Sequence, residues 1–280
     1  MKPRRITRDN RITFSEYLKK EEKSTATIEK YDRDIRHFSE FAERRDIDRQ
    51  LVLEYKERLV ETYAVSSANS MLAALNVFLK YMGWADLCVK QYKTQRHVFR
   101  PEKKNLSKAE YVSLVRSAKR IGNYRLGLIM ETICATGIRV SELRYITMKA
   151  VMDGETTVSC KGKTRTVFIV SALRKKLLRY AKKNGIVEGS VFVTKGGKPV
   201  DRSNIWREMK KLCKPSGIST EKVFPHNLRH VFARVFYKAE KDIAQLADIL
   251  GHSSINTTRI YIMSTGEEHK RRMEAMRLIL

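Results

Sequence analysis

The chain has 280 residues, 42% of them hydrophobic, enough to fill the cores of two ordinary domains. Fifty-seven Lys and Arg stand against 31 Asp and Glu, a formal charge of +26; this points to a polyanion, and to nucleic acid before a membrane surface, since no lipidation motif or basic amphipathic anchor is present. No run of about 18 apolar residues is available for a transmembrane helix, and no apolar stretch follows the basic N-terminus to make a secretion signal.

Residues 1–95 read as a helical domain. Thr13 with Glu16 forms a capping-box pair ahead of Phe14, Tyr17 and Leu18. Ile28, Tyr31, Ile35, Phe38 and Phe41 recur at helical period, and Leu51 to Tyr63 predicts a third helix. Met71, Leu72, Leu75, Phe78, Leu79 and Met82 mark a fourth that stops at Gly83. Four short amphipathic helices make a bundle that starts near Thr13, with no arm-binding domain expected ahead of it. The bundle holds no catalytic constellation, and His37, flanked by charge, reads as a surface residue. For phosphate contact the candidates are Lys23, Lys30, Ser66 and Ser67, near helix starts.

Residues 96–105 fall in a basic stretch around Pro101 where the helical pattern lapses, an interdomain linker. Such a linker either lies along a DNA backbone, so that two domains close around a duplex, or simply stays solvated.

Residues 106–280 form the second domain and carry most of the positive excess. Ser107 and Glu110 fit a capping box, Leu114, Val115 and Ala118 continue that helix, and another from Leu126 to Ala135 ends at Gly137. Arg139 follows in a tight turn ahead of a helix that Ser141 is placed to cap. Glu142, three residues on, can reach back to hold its guanidinium, as an anion-binding arginine needs. Thr156 to Cys160 and Thr164 to Val170 predict two strands joined by Lys161-Gly162-Lys163, whose lysines either stay wet or deliver an ammonium into a DNA groove. Val191 to Val193 predicts a third short strand turned by Gly196 and Gly197, and Arg202 to Leu212 a further helix.

Pro225 then opens a helix, its missing N–H being one of the unbonded donors there. Leu228, Phe232, Val235 and Phe236 give it an apolar face, while His226, Arg229 and Ala233 share another stripe. An imidazole and a guanidinium thus project from a helix start, where anions bind well. Asp242 caps the next helix, with Ile243, Leu246, Ile249 and Leu250 as its buried stripe and Gly251 as its stop. His252 follows directly, and Ser253 or Ser254 caps a short helix bearing Tyr261. On spacing alone Tyr261 is equally a core aromatic beside Ile260 and Ile262. Met273, Met276 and Leu280 give a C-terminal helix that either folds back on its own domain or reaches a neighbour.

Cys88, Cys134, Cys160 and Cys213 show no C-x-x-C pair and read as buried thiols of a reducing cytoplasm. His226 and His230 stand four apart as in a helical zinc pair, but Asn227 stands where H-E-x-x-H needs Glu and no third ligand is evident, so no metal is expected.

ATGIRVSEL, the CKGK hairpin, HNLRH, LGHSS and Tyr261, in that order between Ser107 and Tyr261, resemble the tyrosine recombinase, or phage integrase, family of site-specific DNA recombinases. Each motif is weak alone; the five in sequence are specific. The resemblance implies a mainly α fold with a small β-sheet: a four-helix core-binding domain, then a mixed α/β catalytic domain. It implies that Arg139 and Arg229 bind the nonbridging oxygens of the scissile phosphate, that His226 and His252 are the two family histidines, and that Tyr261 is the nucleophile. Lys161 matches the catalytic lysine, with Lys163 the alternative, because this turn is one residue shorter than the family pattern.

The residue types suit that chemistry. Two guanidiniums stabilise charge building on phosphate oxygens. A phenol of ordinary pKa about 10 needs a base, for which His226 is placed, with His252 donating to the phosphate. A hairpin lysine supplies the departing 5′ oxygen with a proton. His230 is left in support. The expected product is a 3′-phosphotyrosyl link with a free 5′ hydroxyl; it retains the phosphoester, so resealing needs no ATP, metal or other cofactor. The expected partner is double-stranded DNA with paired recombination sites, held by a homotetramer assembled through the C-terminal tail, in the cytoplasm and associated with the nucleoid. Integration or excision of a mobile element leads, with dimer resolution open. A non-enzymatic sequence-specific DNA-binding protein and a type IB topoisomerase-like relaxing enzyme are the alternatives.

Overall fold

The computed structural model describes residues 3–43, 45–93, 104–160, 163–194, 196–263 and 266–276. The chain divides into two compact units, Met1–Arg96 and His97–Leu280. Both are helical, and one two-stranded sheet lies in the second. Most of the basic linker stretch lies outside the described residues. No described helix is long and apolar enough to cross a membrane.

The first unit comprises α1 (Arg8–Lys20), α2 (Thr25–Ala42), α3 (Arg49–Thr62) and α4 (Val65–Tyr81). Their apolar stripes converge on one core, in which Phe14, Leu18, Ile35, Phe38, Tyr55, Leu72 and Phe78 are fully buried; Phe14 meets Phe78 edge-on at 5.1 Å. The bundle starts earlier than the Thr13–Glu16 pair suggests. Thr7 Oγ1 accepts from the Asn10 backbone N–H (3.2 Å) while Asn10 Oδ1 accepts from the Thr7 N–H (2.9 Å). This is a capping box with Asn in the place usually held by Glu or Gln. Thr13 lies inside α1, where its hydroxyl donates back to the Asp9 carbonyl at 3.0 Å. His37 is only partly at the surface: half-buried, it sits 2.9 Å from the Tyr55 hydroxyl and edge-on to Tyr63.

The second unit runs α5 (Lys108–Arg120), α6 (Tyr124–Thr136), a 3-10 turn (Val140–Tyr145) and α7 (Met148–Asp153). The hairpin follows, β1 (Glu155–Cys160) antiparallel to β2 (Lys163–Phe168), with Val158 opposite Arg165 and Cys160 opposite Lys163. Then come α8 (Ser171–Lys183), α9 (Arg202–Lys211), α10 (Cys213–Ser216), α11 (Pro225–Glu240), α12 (Ile243–Leu250), α13 (Ile255–Ile262) and α14 (Gly266–Ala275). α6 is apolar nearly all round and is therefore the central helix: Leu126, Ile129, Met130 and Ile133 are buried, and both α5 and α11 pack on it.

Three local expectations change. Among the described residues the sheet has two strands: Val193 makes only a single bridge, to Pro199, which lacks an N–H and cannot extend a ladder. The turn after Gly137 is capped by Arg139 and Glu142, not by Ser141. Val235 is exposed, so the buried face of α11 runs through Leu228 and Val231 instead.

Candidate active site

The site is built on the first two turns of α11. Pro225 opens the helix, and the fully buried Asn227 fixes it by donating from Nδ2 to the carbonyls of Lys222 (2.7 Å) and Lys104 (3.0 Å). Two turns further on, Arg234 donates to Asn105 Oδ1 and the Leu106 carbonyl. Held at both points, α11 carries His226, Arg229 and His230 on one side.

Arg229 is the largest fully buried side chain described. It donates to the carbonyls of Gly137 and Leu250, and from Nη2 to His252 Nε2 at 3.1 Å. Those carbonyls close the C-terminal ends of α6 and α12, where the last C=O groups lack helical partners and the helix dipole is negative. Two helix ends thus solvate a buried cation. Burial, then the neighbouring Arg139, pulls the guanidinium down to about 10, which leaves it charged at neutral pH. Arginine offers five N–H donors; Nε has no hydrogen-bond partner among the described residues, and Arg229 lines a cavity of about 690 Å³ together with Arg139, His226, Arg202 and Trp206.

Both helix ends need glycine. Gly137 and Gly251 each have φ +64, and a Cβ on Gly137 would lie 2.6 Å from the Phe232 ring, one on Gly251 2.8 Å from Arg165 Cδ. These close approaches let α11 and β2 reach the same point.

Arg139 stands at the mouth of that cavity, and Glu142 holds it as its spacing suggests: Oε1 accepts from Nη1 at 2.9 Å and Oε2 from the Arg139 backbone N–H at 2.8 Å. Glu142 is itself buried and carries a second guanidinium, Arg165 of β2, bonded to both its oxygens. Burial favours its neutral form, but the bonds from Arg165 and Arg139 outweigh that and hold the carboxyl down at about 2.

His252 follows the Gly251 stop, with Nδ1 2.9 Å from the buried Thr258 hydroxyl. Because Arg229 can only donate, Nε2 accepts and the proton resides on Nδ1, a neutral imidazole. Burial, then Arg229, Arg139 and Arg165, pulls its pKa down to about 4.

Tyr261 on α13 closes the group. It is buried, packed with Ala233, Leu246 and Leu250, yet three imidazoles surround its ring: His230 stacked at 4.2 Å, His252 at 4.8 Å and His226 at 5.2 Å between centroids. The Arg229 guanidinium lies 5.9 Å from the ring centroid.

Arg139, Glu142, His226, Arg229, His252 and Tyr261 are therefore gathered in one place by four separate segments. Lys161 lies outside the described residues, and Lys163 opens β2. The remaining candidates belong to the first unit. Lys23, Ser66 and Ser67 are exposed, while Lys30 is engaged by Asp34 (2.6 Å) and the Ser70 carbonyl (2.6 Å). Arg165 and Thr258 escaped the sequence reading. Alternation along β2 could have found Arg165, since it shares a face with the buried Val167.

The same architecture occurs in solved DNA-recombining proteins. A lambda integrase dimer bound to a COC′ core site aligns with a TM-score of 0.73, covering 93% of this chain and 96% of that one at 18% identity. XerA recombinase aligns at 27% identity with a TM-score of 0.55, over 97% of this chain and 99% of that one. Residues 104–268 match the model of the Phage integrase family, and residues 12–86 that of the phage integrase N-terminal SAM-like domain. Among curated relatives, tyrosine recombinase XerA of Pyrococcus furiosus is 27% identical over 95% of this chain and 93% of its own length. XerH of Campylobacter jejuni is 38% identical over 48% of this chain and 40% of its own. The chain belongs to the phage integrase family: it is a tyrosine recombinase, an enzyme of site-specific DNA recombination.

Proposed function

We propose that Tyr261 attacks the scissile phosphodiester to give a 3′-phosphotyrosyl link and a free 5′ hydroxyl, and that a 5′ hydroxyl from a second strand reseals it. The observation that carries this reading is the enclosure of one phenol by three imidazoles beside a buried arginine. In the proposed step the Tyr261 proton passes to His226 as its oxygen bonds to phosphorus. Arg139 and Arg229 bear on the nonbridging oxygens. The departing 5′ oxygen takes a proton from the hairpin lysine, Lys161 or its alternative Lys163. His252 accepts from Arg229 before DNA arrives; a phosphate anion beside it favours the protonated ring, whose Nε2–H then donates to the phosphate. His230 supports the phenol by stacking.

The biological reading is integration or excision of a mobile element by a tetramer on paired sites. A lambda integrase tetramer bound to a Holliday junction is among the fold neighbours, and Met273 of α14 and Met276 just beyond it are exposed, apolar side chains suited to a neighbouring subunit. The charge of +26 suits a DNA duplex, and the exposed Lys23, Ser66 and Ser67 are the proposed phosphate contacts of the first unit.

A library of nicked duplexes with randomised cores tests the chemistry. Denaturation after incubation should leave DNA covalently attached to the parent chain and none attached to Tyr261→Phe, which still binds duplex. Binding without any adduct from the parent chain would sink the proposal, and relaxation of any supercoiled plasmid without site preference would favour a topoisomerase-like role.

A further inference from the structure

A carboxylate beside a phosphate-binding arginine works in two opposed ways. Glu142 fixes Arg139 through its Nη1 and backbone N–H, but a carboxylate with no other partner also cancels the charge that Arg139 offers to an anion. The structure supplies that other partner. Arg165 donates from Nη1 to Oε1 at 3.0 Å and from Nη2 to Oε2 at 2.7 Å, so it spans both oxygens as a fork. It is also the more deeply placed of the two arginines: the Arg165 side chain is 9% exposed and that of Arg139 29%. Charges interact more strongly where water is scarcer, so Glu142 is neutralised chiefly by Arg165. The third donor of Arg165, Nε, goes to the Ile249 carbonyl at 3.1 Å, next to the Leu250 carbonyl that holds Arg229.

We propose that Arg165 is a positioning residue: the dedicated counter-ion of Glu142, which leaves the charge of Arg139 available to the scissile phosphate while tying β2 to the end of α12 that holds the Arg229 guanidinium and leads into His252. The role rests on the phosphotyrosyl reading above. Arg139, Arg165 and Arg229 with one carboxylate leave two net positive charges. A phosphodiester attacked by a phenolate passes through a species with two negative charges, so the two match. Without Arg165 the arginines and Glu142 together leave only one. Lysine cannot replace the fork, having a single ammonium where three directed N–H groups are used.

The test uses the duplex recovered with the parent chain, with adduct formation at saturating DNA and DNA affinity measured separately. Arg165→Gln should slow adduct formation about 100-fold, the effect of losing one charge-stabilising group, with affinity changed less than about threefold. Adding Glu142→Gln removes the uncompensated carboxylate, and the double variant should recover about tenfold over Arg165→Gln. A double variant no faster than Arg165→Gln, both melting cooperatively, overturns the counter-ion role. Should Arg165→Gln fail to fold, the double variant is compared with Glu142→Gln. The two should cleave within about threefold, because no carboxylate remains to neutralise, and a double variant about tenfold slower refutes the role. A second readout needs no cleavage: the Glu142 carboxyl ¹³C signal should titrate near 2 in the parent chain and clearly higher in Arg165→Gln. An unmoved midpoint overturns the inference, whereas absence of any adduct from the parent chain counts against the nucleophile alone.

Discussion

Replacing Gly137 by alanine adds one methyl group where the end of α6 meets α11 and α12. The new Cβ would stand 2.6 and 2.7 Å from two carbons of the Phe232 ring and 3.1 Å from Leu250 Cδ2, in a backbone of φ +64. Left-handed backbone costs alanine ~1–2 kcal/mol, and forcing a methyl into packed surroundings costs a further ~1–3 kcal/mol. Gly154→Ala is the internal control. Its φ is +84, yet a Cβ there meets nothing within 4 Å, so only the backbone term applies. The two variants should therefore differ by ~1–3 kcal/mol, the packing term alone. The chain has two tryptophans, Trp84 in the first unit and Trp206 on α9 of the second, so urea unfolding of full-length protein in a Trp84→Phe background reports the second unit through Trp206 emission. The Gly137 carbonyl also holds Arg229, so the same variant should lose adduct formation beyond what its stability explains. Equal destabilisation by the two alanines would refute the argument from close approach.

His252 predicts an acid-sensitive second unit. Its folded pKa lies at about 4 against an ordinary 6.5, so its contribution is complete above pH 6.5 and is lost as pH falls through 4, the unfolded chain taking up the proton first. After allowance for solvent screening this amounts to ~1–2 kcal/mol, and melting curves between pH 7 and 4 should be flatter for His252→Asn than for the parent; parallel curves would count against it. Asn227→Ala leaves the Lys104 and Lys222 carbonyls without their Nδ2 donors and should cost ~2–4 kcal/mol in urea unfolding, two buried bonds' worth. A cost below ~0.5 kcal/mol, the level of an ordinary surface change, would show that water replaces the amide.

What could be read in the sequence was local in origin. Glu142 reaches Arg139 because three residues separate them across one turn, and Gly137 and Gly251 stop their helices by the positive φ that glycine alone adopts cheaply. The Ser107 box and the Asp242 cap form as their spacing requires. Tyr261 is packed in an apolar cluster, as a core aromatic would be, and its ring is also surrounded by imidazoles. Arg165 was hidden because a charged residue in a hairpin looks solvated until the acid that buries it, 23 residues earlier in the chain, is known. Thr258 was hidden because a hydroxyl on a short helix carries no signal until His252 is placed beside it. The start of α1 was misplaced because Asn10 does the work expected of a glutamate.

The backbone arriving at Lys104 is stitched to α11 within three residues: Asn227 holds the Lys104 carbonyl, and Arg234 holds the Asn105 side chain and the Leu106 carbonyl. In mechanical terms α11 is the helix to which the incoming chain is fastened. A pull on the chain at Lys104 would reach the helix of His226 and Arg229 directly through these bonds, so that tension in the polypeptide and the setting of that helix would be coupled.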